Sequence, residues 1–153
     1  PNVHNGLTFC AGSLSAGGHN DITELAKKYH DRTHFVHLRS CYIFPNGDFT
    51  EASHLGGRAD IIELTRIFEQ EEQRRIAERK DSDAAKANGR TSEKLRLPMR
   101  VDHGMTMLGD ESKGYNAGYS FLGRMFALGQ VQGIMAAVDR ELGIEFTQPG
   151  FFG

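Results

Sequence analysis

Three residues far apart in the chain have side chains that bind metal ions or move protons, and each stands at or near the end of a β-prone run. Residues 6–10 (GLTFC) end in Cys10, residues 33–39 (THFVHLR) carry His37, and residues 95–102 end in Asp102, with His103 directly after it. Side chains alternate along a strand, so Phe35, His37 and Arg39 share one face while His34, Val36 and Leu38 share the other. In a parallel α/β fold the carboxyl ends of all strands lie on one side, and ligands bind on that side. Cys10, His37 and Asp102 are therefore expected to converge. A thiolate, an imidazole and a carboxylate together suit a first-row divalent ion, with oxygen atoms of a substrate completing its shell. Each residue also has a plainer role open to it: Cys10 as a small buried apolar side chain, His37 as a hydrogen-bonded core histidine, Asp102 as a turn or cap residue. Asp102 and His103 cannot both face inward from a regular strand, so one of them belongs to the loop. The sequence holds no HExxH, CxxC or glycine-rich phosphate loop that would name the chemistry outright.

The elements that must position these residues alternate between strand and helix. Between the three strand candidates lie helix candidates over residues 22–30, opened by Asn20-Asp21, and 59–79, with Ile61, Leu64, Ile67 and Phe68 at helical spacing. Residues 116–142 form a last long helical stretch, carrying Phe121, Leu122, Met125, Leu128, Val131, Ile134, Met135 and Val138. Residues 41–44 and 49–52 flank Pro45-Asn46-Gly47-Asp48, where Asn-Gly predicts a type I′ hairpin turn. Strand alternating with helix implies an α/β fold with a mainly parallel sheet. Three strands are few for such a sheet, because its faces must be covered and its open edges invite pairing. A piece of a larger sheet or barrel fits better than a free-standing module.

Length and composition narrow the function. The 153 residues, 39% hydrophobic and 25% charged, are one ordinary globular segment. A net charge of −2 gives no basic field for nucleic acid, and no apolar run approaches the roughly 20 residues of a membrane span. Two cysteines, Cys10 and Cys41, make no disulfide framework and point to a reducing compartment, the cytoplasm. Residues 69–96 hold seven acidic and eight basic residues. Balanced signs remove the reason for binding phosphate, so this stretch is expected to be a solvated helix end followed by a mobile loop around residues 81–90. The chain opens Pro-Asn-Val-His without an initiator Met and is expected to be a piece of something longer.

The segments GLTFCAGSLSAGGHNDI, FVHLRS, GDFTEASHL, LPMRVDHGMTMLGD and NAGYSFLGRMFALGQVQGIMAAV, in this order, resemble the carboxyl-terminal part of mannonate dehydratase over nearly the whole chain. The resemblance implies a (βα)8 TIM barrel of the xylose-isomerase-like type, of which this chain would supply roughly the carboxyl-terminal half. It implies dehydration of D-mannonate to 2-keto-3-deoxy-D-gluconate in hexuronate breakdown, with Mn²⁺ as cofactor and Fe²⁺ as the alternative. Cys10, His37 and Asp102 match metal ligands of the family. His103 and Tyr119 match its proton-moving residues, with Tyr115 a nearby competitor and the acid and base roles open. Arg39 is placed to bind the sugar acid's carboxylate, since a guanidinium can hold a carboxylate at two points. The family chain is more than twice this length and brings a further histidine ligand from an earlier strand. The partners implied are a small sugar acid and a second subunit in a homodimer, with no nucleic acid and no membrane. A metal-dependent sugar isomerase or epimerase on a similar barrel, and a catalytically inert fragment, are the alternative readings.

Overall fold

The structure is a computed structural model that describes residues 5–80 and 96–145. Its frame is a three-stranded parallel sheet in the order β1 (Leu7–Cys10), β2 (Thr33–Leu38), β5 (Met99–Val101). Between them lie helices α1 (Ala11–Ser15), α2 (Ile22–Tyr29) and α3 (Ile61–Lys80), and the hairpin of β3 (Cys41–Ile43) and β4 (Phe49–Glu51). Helix α4 (Phe121–Leu142) closes the described part of the chain. The third strand is shorter than expected: Arg96–Pro98 precede it, the Pro98 carbonyl accepting from the Val36 amide at 2.9 Å, and Asp102 follows it in the loop.

Alternation sorts the strand residues onto two faces. Phe9, Val36, Leu38 and Val101 turn toward the helices and join one core with Ile22 and Ala26 of α2, Ile61, Leu64, Ile67 and Phe68 of α3, and Ala127, Val131, Ile134 and Val138 of α4. Phe9 and Phe68 meet with ring centroids 5.2 Å apart. The four α3 residues at helical spacing are all buried, as their periodicity predicts. On the other face Cys10, Phe35 and His37 are half-buried and Thr8 and Arg100 are exposed. A sheet with helices on one face and sequential parallel strands is a sector of a (βα)8 barrel, whose inner face packs on its own remaining strands.

Helix α2 starts as its sequence says: Asp21 is its N-cap and accepts from the Glu24 amide at 2.9 Å. The hairpin turn differs from the type I′ expectation. Asn46 has no positive φ; Gly47 alone does, at +91°, and its amide donates to the Phe44 carbonyl at 2.9 Å. Pro45 fixes its own φ near −65°, which suits the second position of a type I turn and pushes the left-handed residue one place on, to Gly47.

Two further expectations are corrected. Glu69, Glu71 and Glu72 are 5%, 2% and 5% exposed, so the charged stretch does not begin as a solvated helix end. Glu71 is gripped by Arg74, Arg75 and His30, and Glu72 accepts from the Leu97 amide. Burial opposes the Glu71 charge, but the hydrogen bonds of Arg74, Arg75 and His30 outweigh it and hold its carboxyl at about 2. Residues 81–90, expected to be a loop, lie outside the described residues. Helix α4 is also long and apolar enough, by length and composition, to cross a membrane. Its Ala127, Val131, Ile134 and Val138 instead pack into the core against α3, while Phe121, Leu122, Met125 and Phe126 stand exposed.

Candidate metal centre and active site

The register of the sheet builds the site. Cys10 pairs with His37 across β1 and β2, and His37 pairs with Arg100 across β2 and β5. Asp102 comes two residues after Arg100 and so returns to the same face. Cys10, His37 and Asp102 thus meet at the carboxyl ends of three adjacent strands. The Cys10 thiol lies 3.9 Å from Asp102 Oδ2, His37 Nδ1 lies 3.8 Å from the same oxygen, and the three donor atoms all fall within 4.8 Å of one another. Two donors that share one ion at about 2.0–2.3 Å stand about 3–4 Å apart. The donor set and its spacing therefore fit a metal ion.

The surroundings tune each donor. Cys10 is the N-cap of α1, and its sulfur accepts from the Ser13 amide at 3.5 Å and the Ser13 hydroxyl at 3.1 Å. Burial lowers the pKa of His37 despite the pull of Asp102, which favours the neutral ring that a ligand must be. Burial works against the charge on Asp102, yet the hydrogen bond from Arg100 at 2.7 Å and the nearby His103 and His37 prevail and keep it below the ordinary carboxylate range.

His103 lies beyond the end of β5, where the strand no longer dictates alternation, and the loop turns it to the same side as Asp102. Its Nε2 is 3.7 Å from Asp102 Oδ2 and 2.8 Å from the hydroxyl of Tyr119. Tyr119 sits in the turn just before Ser120, the N-cap of α4. Tyr115 makes no such bond; it lines, with Tyr119, Val101, Phe121 and Arg124, an adjoining cavity of about 480 Å³. Arg39 is placed beside the site, but its two-point grip is made to Glu51, with Nε at 2.9 Å and Nη2 at 2.5 Å, leaving Nη1 3.8 Å from Asp102.

Glu51 is a residue that the sequence reading passed over. It ends β4 opposite Cys41, and its Oε1 also meets His103 Nδ1 at 2.8 Å. Arg100 is another, and its signal was readable, since a residue two before Asp102 on the same face can reach back to it. Glu51 has no such signal, because only the folding of the hairpin over the end of β2 brings it in.

A parallel strand-end cluster of thiol, imidazole and carboxylate beside a histidine–tyrosine pair, on a sector of a TIM barrel, is an arrangement that could hold a divalent ion. Comparison with known proteins makes the assignment specific. The model of the D-mannonate dehydratase (UxuA) family matches residues 1–145, and the chain belongs to that family. It is 37% identical over 139 residues to "Mannonate dehydratase 2" of Agrobacterium fabrum and 39% identical over 140 residues to a mannonate dehydratase of Saccharophagus degradans. Each alignment covers 91% of this chain and 32% of the relative, so the chain spans about a third of the length of the curated relatives it matches. Among solved structures, the mannonate dehydratase of Streptococcus suis serotype 2 aligns with a TM-score of 0.71 at 21% identity, over 95% of this chain and 36% of that one. That likeness bears out the fold.

Proposed function

We propose that the protein carrying this chain dehydrates D-mannonate to 2-keto-3-deoxy-D-gluconate, as a cytoplasmic step of hexuronate breakdown. The observation that carries the proposal is the convergence of Cys10, His37 and Asp102 with the hydrogen-bonded pair His103 and Tyr119 in a chain of this family. Cys10, His37 and Asp102 would hold the divalent ion, Mn²⁺ or alternatively Fe²⁺, which when bound supplies Lewis acidity toward the oxygens of the sugar acid. The two cysteines, both free, agree with a reducing compartment.

Removing water from a 2,3-dihydroxy acid means taking a weakly acidic proton from the carbon next to a carboxylate. His103 and Tyr119 divide the proton work. One takes the C2 proton, whose bonding electrons form the C2–C3 double bond as the C3–O bond breaks. The other protonates the departing hydroxyl, so that water leaves and the enol tautomerises to the keto acid. The 2.8 Å bond between them keeps both groups at the same reacting edge. Arg39 Nη1, the guanidinium nitrogen not bonded to Glu51, is the contact offered to the substrate carboxylate.

The test is turnover of D-mannonate, followed by appearance of the 2-keto acid, before and after chelation. Activity lost on chelation and restored by Mn²⁺ is expected. Full activity after exhaustive chelation, or turnover of free aldoses alone, overturns the proposal and favours an isomerase.

A further inference from the structure

We infer that Glu51 is a positioning residue that fixes the tautomer and orientation of His103, an inference that rests on the dehydratase reading for its kinetic consequence. The hairpin of β3 and β4 leaves β2 through Arg39 and Ser40 and folds back so that the last residue of β4 overhangs the strand ends. Its base is pinned by the Ala52 amide donating to the Ser40 carbonyl and the Arg58 amide to the Cys41 carbonyl, each at 3.0 Å. Glu51, 15% exposed at its side chain, is thereby held between two groups of the site. Arg39 binds both carboxylate oxygens, and Oε1 takes His103 Nδ1 as well.

This arrangement fixes the place of the single hydrogen on a neutral His103 ring. A carboxylate paired with a guanidinium has only acceptors to offer. His103 must therefore carry its hydrogen on Nδ1, and in the neutral ring Nε2 is left with its lone pair. Nε2 faces the Tyr119 hydroxyl at 2.8 Å, so the hydroxyl donates and the ring accepts. The ring centroids of His103 and Tyr119, 4.5 Å apart, keep the pair in contact. Remove the carboxylate and the ring is free to take the other tautomer, in which Nε2 carries the hydrogen and cannot receive a proton. Glu51 acts on the proton-moving pair through His103, and its two-point grip on Arg39 keeps its own carboxylate in place.

The experiment has two readouts in the full-length protein. In the first, ¹⁵N-histidine spectra of the wild-type protein loaded with diamagnetic Mg²⁺ are expected to show His103 with a protonated Nδ1 and a bare Nε2. A wild-type ring with the opposite tautomer overturns the inference without any variant. In the second, Glu51→Gln is expected to mix the two tautomers and lower kcat about 10–100-fold, with metal content near wild type; a change in KM alone would report only the loosened Arg39. Glu51→Asp, which keeps the charge, is expected to recover part of the loss. Unchanged kcat and ring signals in Glu51→Gln, or activity lost only in step with metal, overturn the inference. If wild-type protein fails to turn over D-mannonate while its ring signals are as stated, the dehydratase reading falls and the tautomer assignment stands.

Discussion

Gly118→Ala is the substitution that separates placement of His103 from everything else about the site. Gly118 has φ +80°, and its carbonyl accepts from the Gly104 amide at 3.0 Å, which ties the turn before α4 to the loop after β5. A Cβ at Gly118 would stand 2.6 Å from His103 Nδ1 and 3.0 Å from its Cγ. Ordinary contact begins near 3.4 Å, so the ring must retreat by about 0.8 Å. That shift is enough to break the 2.8 Å bond to Glu51 or the one to Tyr119. A misplacement of about 1 Å at a reacting group costs on the order of 100-fold, so kcat should fall about 10–100-fold. Left-handed backbone adds about 1–2 kcal/mol of lost stability for any residue with a Cβ. Gly109→Ala is the control, since its φ is +86° and no heavy atom lies within 4 Å of its added Cβ. Steady-state kinetics on D-mannonate, metal analysis and urea unfolding read both variants. Both should lose similar stability and keep metal, while Gly118→Ala alone loses turnover. Equal kcat in the two variants would refute the reasoning.

Asp102→Asn should lose metal, because a neutral amide is a poor donor to a divalent cation, whereas His103→Asn and Tyr119→Phe should keep metal and lower turnover about 10²–10⁴-fold. Metal retained by Asp102→Asn and lost by His103→Asn would reverse those roles. Glu71, held at about 2 against its ordinary 4.5, takes its proton more readily in the unfolded chain. Its contribution to stability is present above about pH 4.5 and disappears as pH falls toward 2. Urea midpoints of Glu71→Gln should therefore show a flatter acid limb than wild type, and parallel limbs would contradict this. Phe68→Ala empties a fully buried ring against Phe9 and should cost about 3–5 kcal/mol in urea unfolding. A loss under about 1 kcal/mol would show that the core closes over the gap.

What could be read from the sequence followed from periodicity and strand ends. The α3 stripe of Ile61, Leu64, Ile67 and Phe68 repeats at helical spacing, and each residue is buried. Cys10, His37 and Asp102 follow from two rules, alternation and the common direction of parallel strands. Charge content predicts solvated Glu71 and Glu72 because it says nothing of partners, and theirs come from α3 itself, His30 and the Leu97 amide. Asn-Gly alone predicts left-handed backbone at both Asn46 and Gly47, whereas the constraint of Pro45 confines it to Gly47. In α4 the apolar residues run nearly all round, so no period separates buried Val131 from exposed Phe121. Glu51 depends on how one hairpin leans over another element, a tertiary fact with no local pattern.

The three proposed metal donors come from strands paired in sequence order, with Cys10 and Asp102 separated by 92 residues. No short stretch of chain holds two of them at chelating distance, so an ion finds its third ligand only after β5 has docked on β2. Ordering of the three donors thus requires long-range pairing, of the kind that forms slowly. An ion held by these residues would bind the completed arrangement, since the unfolded chain offers no preformed site. At about 100 times its dissociation constant it would add roughly 2.7 kcal/mol to the stability of the docked state. Escape of the ion during unfolding would time the parting of β5 from β2, which makes metal release a clock for a single strand.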